Sequence, residues 1–201
     1  FPWAHEQNHP LAKNIGMLRA ISNGTFDYYI EAFAEKLRDL EGPIFLRYAH
    51  EMDNPHYPWS TAGGDTPDDF IAAWRRVVSI FHRRGASNVA FVYNPWRGAA
   101  VDPYYPGDDY VDWIGITLLN YGKAARDQKW YGFDELYQEF HPYLQHYNKP
   151  VMLAEFGSTA YGGDPSEWLV DAMSSIKKNF PHIRAAVLFH SDRDKNWATD
   201  W

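Results

Sequence analysis

Two acidic residues about a hundred positions apart share one local setting. Glu51 follows Ile44-Phe45-Leu46-Arg47-Tyr48-Ala49-His50 and Glu155 follows Val151-Met152-Leu153-Ala154, so each stands where an apolar, strand-like run is expected to end. A glutamate has an ordinary pKa of about 4.3, and a like-charged neighbour across a pocket makes one member of a pair hold its proton while the other stays ionised. Glycosidic-bond cleavage uses that division of labour: one carboxyl protonates the leaving oxygen and the other attacks or activates water. Taken singly, either glutamate could merely cap a strand or pair with Arg47 or Arg97. The aromatic residues in the segments after the expected strands favour the paired reading: Tyr57 and Trp59, Trp96, Tyr121, Tyr161 and Trp197. Flat rings that stack on sugar faces, with polar groups reading the hydroxyls, make up a carbohydrate groove. Trp74 and Trp168 recur at core spacing on helices and are read as core.

The elements that would hold these residues alternate. Helical spacing over 30–40 leads, after Gly42-Pro43, into an apolar strand over 44–48. Thr66-Pro67-Asp68-Asp69 combines an N-cap, a proline at the first helical position and an acid in the first turn, ahead of a helix through Phe81 that Gly85 closes. Strands are expected over 88–93, 111–118, 150–156 and 183–190, a helix over 133–147, and another beginning at Asp164-Pro165-Ser166-Glu167 with a capping-box pattern. Continuously apolar strands between amphipathic helices indicate a parallel sheet covered on both faces. In a flat sheet laid out in chain order, at about 4.8 Å per strand, strands three places apart would hold the two glutamates roughly 14 Å apart. A closed barrel brings them together across its mouth, at the C-terminal ends of the strands. The expected fold is therefore an α/β (β/α)8 TIM barrel forming a single domain over residues 1–201, with its first two strands not found in the chain and at most the tail of a further strand in Phe1-Pro2-Trp3.

Composition narrows the partners. The 201 residues are 45% hydrophobic and 17% aromatic, enough for a substantial core. The net charge is −7 with scattered Lys and Arg, which removes the electrostatic footprint of a nucleic-acid binder. No apolar run approaches the roughly 18 residues needed to span a bilayer. The absence of Cys excludes disulfides, thiolate metal sites and a Cys nucleophile. No cofactor or metal is expected: His50-Glu51 is followed by Asn54 where a zincin motif needs its second His, Ser158 lacks a Gly-x-Ser-x-Gly surround, and no glycine-rich loop precedes a helix to cradle phosphate. The chain begins Phe1-Pro2-Trp3 without Met, in line with a removed leader, and a monomer in a secreted or periplasmic setting is expected.

Five fragments in one order then carry a resemblance. Asn23-Gly24-Thr25-Phe26-Asp27 through Phe33-Ala34, Pro43 to Met52 with Tyr57-Pro58-Trp59, Phe91-Val92-Tyr93-Asn94-Pro95, Tyr104-Tyr105-Pro106-Gly107-Asp108 with Val111-Asp112-Trp113-Ile114-Gly115, and Leu153-Ala154-Glu155-Phe156-Gly157-Ser158 together resemble glycoside hydrolase family 26. That family holds β-mannanases and some mixed-linkage β-glucanases. The resemblance implies a retaining endo-β-glycosidase on a β/α barrel, with Glu51 as general acid/base after the fourth strand and Glu155 as nucleophile after the seventh. It implies carboxyl groups about 5 to 5.5 Å apart and a covalent glycosyl-enzyme. It also matches His50 to a histidine that binds sugar at the cleavage site.

The chain departs from the family pattern at three places. The common run after the acid is Met-Asn-Gly followed by an aromatic, whereas this chain has Met52-Asp53-Asn54-Pro55-His56, with His56 where a Trp is usual. Tyr121 is the candidate for the tyrosine that supports the nucleophile, and Leu188-Phe189-His190 with Trp197 replaces a Trp-Phe-Asn-like ending. The expected substrate-binding residues are thus His50, Trp59, His56, Trp96, Tyr121 and Trp197. The leading substrate is β-1,4-mannan, with a mixed-linkage β-1,3-1,4-glucan or an exopolysaccharide as alternatives. A glycan-binding protein without efficient turnover is the alternative from another class.

Overall fold

The computed structural model describes residues 16–57 and 59–191. Its elements run α1 (Met17–Ser22), α2 (Asp27–Arg38), β1 (Ile44–Leu46), α3 (Pro67–Arg83), β2 (Val89–Tyr93), β3 (Trp113–Asn120), α4 (Phe133–Tyr137), α5 (His141–Leu144), β4 (Val151–Ser158), α6 (Pro165–Asn179) and β5 (Ile183–Leu188). They fall into two compact units, the first ending at Ile114 and the second beginning at Gly115, so that the boundary lies within β3.

In the first unit, β1, β2 and the start of β3 are neighbours in that order and run parallel, with Ile44 opposite Val89 and Val92 opposite Trp113. The core is built by α3. Thr66 accepts the Asp69 N–H while the Asp69 carboxylate accepts the Thr66 N–H, a reciprocal box that starts the helix with Pro67 in its first turn. From this start, Phe70, Trp74, Val77, Val78 and Phe81 fall on one buried stripe. Trp74 packs edge-on against Phe91 and Tyr93, and Phe81 against Phe91, so one face of β2 is sealed by aromatic contacts. Arg76 grips the Asp27 carboxylate through two nitrogens at 2.6 and 2.7 Å, tying α2 to α3. The helix α1, which hydrophobic spacing over so short a stretch does not announce, buries Met17, Leu18 and Ile21; its Leu18 N–H donates to the buried Asp65 carboxylate ahead of α3.

In the second unit, the rest of β3, β4 and β5 are neighbours in order. β4 and β5 are parallel, and their register slips: Leu153 pairs with Ala186 and Phe156 with Leu188, three steps on β4 against two on β5. One residue of β4 is thus extra within the stretch that contains Glu155, a bulge of the kind that re-aims a side chain. Phe156 packs on Phe133 of α4 and Trp168 of α6, at 6.0 and 5.2 Å between ring centroids, which defines the helix-covered face.

Some expected elements take other bounds. The strand expected over 44–48 stops at Leu46, because Ala49 (φ 44°) and Glu51 (φ 52°) adopt the left-handed conformation and turn the chain out of the ladder. The helix expected over 133–147 divides into α4 and α5, because Pro142, in the first turn of α5, has no N–H to continue the preceding helix. Trp74 is fully buried and Trp168 nearly so, as core spacing requires. Five strands stand among the described residues, where the expected barrel would have eight. Phe1-Pro2-Trp3 and Trp197 lie outside the described residues.

Candidate active site

Glu51 belongs to the first unit and Glu155 to the second. Glu51 does not end a strand. It sits in a turn beyond β1, where its N–H donates to the Asn94 carbonyl at 2.6 Å just past the end of β2. A non-glycine residue with positive φ is disfavoured by contact of its Cβ with the backbone, and such residues gather at functional sites. Two of them within three positions, Ala49 and Glu51, bracket His50. Glu51 is 5% exposed. Its Oε2 accepts a hydrogen bond from the Asn54 side-chain amide at 2.8 Å, and the Asn54 N–H donates to the Glu51 carbonyl, also at 2.8 Å.

Around this turn the structure gathers most of the expected sugar-binding residues of the first unit. The Trp59 indole N–H donates to the His50 carbonyl at 2.7 Å. The rings of Tyr57 and Trp59 stack at 4.5 Å and 11°, and His50 lies against both, at 5.0 and 5.3 Å. His56 is exposed, and its N–H donates to the Asn54 side-chain oxygen. Trp96 joins through Asp53, whose two carboxylate oxygens accept the N–H groups of Trp96 (2.7 Å) and Arg97 (3.0 Å). The Arg97 guanidinium then lies over the Trp96 ring at 3.9 Å, within cation–π range. Burial raises the Asp53 pKa above its ordinary 3.8; the backbone N–H groups oppose that rise, and the nearby Glu51 charge adds to it.

Glu155 has the opposite setting. It lies inside β4, and it is the one residue of that strand that is not fully buried. Alternation along the strand sends its side chain away from the face that Phe156 packs against the helices. The strand end beside it is latched by Asn120, the last residue of β3, whose side-chain amide donates to the Ser158 hydroxyl at 3.0 Å and whose side-chain oxygen accepts the N–H groups of Gly122 and Tyr131. The Thr159 N–H donates to the Asn120 carbonyl and the Thr159 hydroxyl to the Tyr121 carbonyl, so the Tyr121 loop is fastened to the end of the Glu155 strand. Gly122 is compressed there: at φ 51°, a Cβ would stand 2.0 Å from the Tyr161 carbonyl oxygen.

The sequence motifs therefore lead to the acids and the aromatic residues, and the structure adds the asparagines. Asn54, Asn94 and Asn120 are each buried, each at the end of a strand or in the turn beyond it. The large majority of buried polar side chains are hydrogen-bonded, so a lone Asn at a strand end was the available signal.

The sequence model described as Glycosyl hydrolase family 26 matches residues 15–200. Among curated proteins, Endoglucanase H of Acetivibrio thermocellus is 34% identical over 186 residues, covering 88% of this chain and 21% of that protein. A Beta-1,3-xylanase of Alcaligenes sp is 23% identical (90% of this chain, 42% of that protein), and Mannan endo-1,4-beta-mannosidase A and B of Caldalkalibacillus mannanilyticus is 27% identical (83% and 31%). The chain thus spans less than half the length of each of these relatives. The solved structure of GH26C from Muricauda sp. aligns with a TM-score of 0.71 at 17% identity, over 92% of this chain and 55% of that one, a likeness of fold. With the family model covering nearly all of its residues, the chain belongs to glycosyl hydrolase family 26.

Proposed function

We propose that this chain cleaves an internal β-linkage of a polysaccharide with net retention, with Glu155 as nucleophile and Glu51 as general acid/base. The observation that carries the reading is Glu155: in a strand buried at every other position, the one opening is at a carboxylate, set in an irregular register. An acid is expensive to hold in such a strand unless it has work there.

The chemistry proceeds in two steps. The Glu155 carboxylate attacks the anomeric carbon as the bond to the leaving oxygen breaks, and Glu51 gives that oxygen its proton. Glu51, now ionised, takes a proton from water, the hydroxide attacks the anomeric carbon, and the ester to Glu155 breaks. His50, Trp59 and Trp96 supply the flat and polar surfaces for the sugar on the Glu51 side, and Tyr121 lies in the loop on the Glu155 side. The reading takes the five parallel strands as part of a (β/α)8 barrel in one domain, in line with the fold likeness. A monomer working outside the cytoplasm suits a polymer that does not cross a membrane.

For the substrate, the endoglucanase likeness at 34% puts a β-glucan ahead of β-1,4-mannan, the substrate that the family resemblance placed first; the mannosidase relative at 27% keeps mannan second. The test is hydrolysis of mixed-linkage β-glucan, β-1,4-mannan, β-1,3-xylan and an acidic exopolysaccharide by wild type, Glu51→Ala and Glu155→Ala. Wild type is expected to release reducing ends from β-glucan fastest, and each variant to lose at least about a hundredfold. Tight glycan binding without product, or turnover that survives Glu155→Ala, would leave a binding protein or a different catalytic residue.

A further inference from the structure

We propose that Asn54 is a positioning residue for Glu51, fixing the orientation of the carboxyl that exchanges the proton. The inference deepens the acid/base reading of Glu51 and rests on it. Asn54 is 8% exposed, and both ends of its amide are employed: the NH2 group donates to Glu51 Oε2 at 2.8 Å, and the oxygen accepts the His56 N–H at 3.1 Å. These partners define the amide's orientation. A flipped amide would set its oxygen against a carboxylate oxygen and its NH2 group against an N–H, two facing pairs of like polarity.

The backbone makes the arrangement stiff. The bond from the His56 N–H to the Asn54 side chain two residues earlier is an Asx turn, and Pro55 between them has φ confined near −65°. The Asn54 N–H closes a second turn onto the Glu51 carbonyl, and the Glu51 N–H is taken by Asn94. Asparagines and their backbone thus hold Glu51 at its N–H, its carbonyl and Oε2.

The chemical consequence follows from the donor. A carboxyl oxygen that accepts an N–H is the poorer place for a proton, since the two hydrogens would face one another. The amide on Oε2 therefore fixes the plane of the carboxyl and disfavours a proton on that oxygen, which orders the group that gives its proton to the leaving oxygen in the first step and takes one from water in the second. Without the amide, the carboxyl can turn, so fewer encounters have the geometry for transfer.

The test compares kcat/KM, which reports the glycosylation step, for two substrates of the same sugar. One is a β-linked oligosaccharide, whose leaving oxygen needs a proton; the other is its dinitrophenyl glycoside, whose leaving group departs without one. Asn54→Ala is expected to lower kcat/KM for the oligosaccharide by about 10- to 100-fold and to leave the dinitrophenyl glycoside within about twofold. Asn54→Leu, close in size but lacking the donor, should give the same split. Urea melts of both variants establish that they are folded. Equal losses on the two substrates, or no loss on either, would overturn the positioning role. Glu51→Ala is measured alongside: if it lacks the split, the acid reading of Glu51 falls; if it shows the split and the Asn54 variants do not, only the role of Asn54 falls.

Discussion

Asp53 carries a carboxylate where its surroundings resist the charge. Burial holds its pKa above the ordinary 3.8, and Glu51 two residues away pushes in the same direction. A group whose folded pKa is raised binds its proton more tightly in the folded state, so its contribution to stability is fullest below the unfolded value and is lost as pH rises through the folded one. Across that window, wild type is expected to lose stability relative to Asp53→Asn as pH increases, read from urea melts at a series of pH values. A flat difference would mean that Asp53 is not held in this way. At this scale Glu51 and Glu155 were legible because an acid after an apolar run is conspicuous. Asp53 and Asn54 were visible only as departures from a pattern; their roles depend on backbone N–H groups of residues 56, 96 and 97, which no spacing in the sequence reveals.

Elements were legible where one local device settles them. The Thr66–Asp69 box starts α3 where the residue types said it would, and Thr66→Ala is expected to lower stability by about 1 kcal/mol in urea melts. The bounds of β1 and the break between α4 and α5 needed more. The first depends on left-handed residues at Ala49 and Glu51, types that give no hint of that conformation, and the second on Pro142, which interrupts a stretch whose apolar pattern continues through it. The Gly122 crossing was invisible because its reason is the Tyr161 carbonyl, brought near only by the fold. Gly122→Ala should lower stability by roughly 1 to 3 kcal/mol, as overpacking does, with the loss read from the urea midpoint. At the start of β5, the Tyr137 hydroxyl bonds His182 Nε2 at 2.5 Å, and burial, then the neighbouring His141, lowers the His182 pKa from 6.5. A lowered histidine gives stability that is present above its unfolded pKa and lost as pH falls through it. Melting temperature is therefore expected to drop as pH is lowered below about 6.5, and His182→Gln, which does not titrate, should flatten that slope.

For the whole molecule, alternating apolar strands and amphipathic helices were enough to give a parallel α/β fold, because that pattern has few ways to bury both faces of its strands. The count of strands and the family were separate questions: periodicity gave five strands against an expected eight, while ordered fragments pointed to the family that the match over residues 15–200 establishes. The net charge of −7 bears on the choice among glycans. A neutral β-glucan has no charge to be repelled, so its KM is expected to stay level from low to high salt; an acidic exopolysaccharide would bind better as salt screens the repulsion. The central claim is that Glu155 forms a bond to the sugar. A 2-deoxy-2-fluoro glycoside with a dinitrophenyl leaving group slows the second step and should accumulate the intermediate, so mass spectrometry of the digested protein is predicted to find one added fluoroglycosyl group on the peptide carrying Glu155, and none in Glu155→Ala. A label on another carboxylate, or a first product of inverted anomeric configuration with no label at all, would contradict the account.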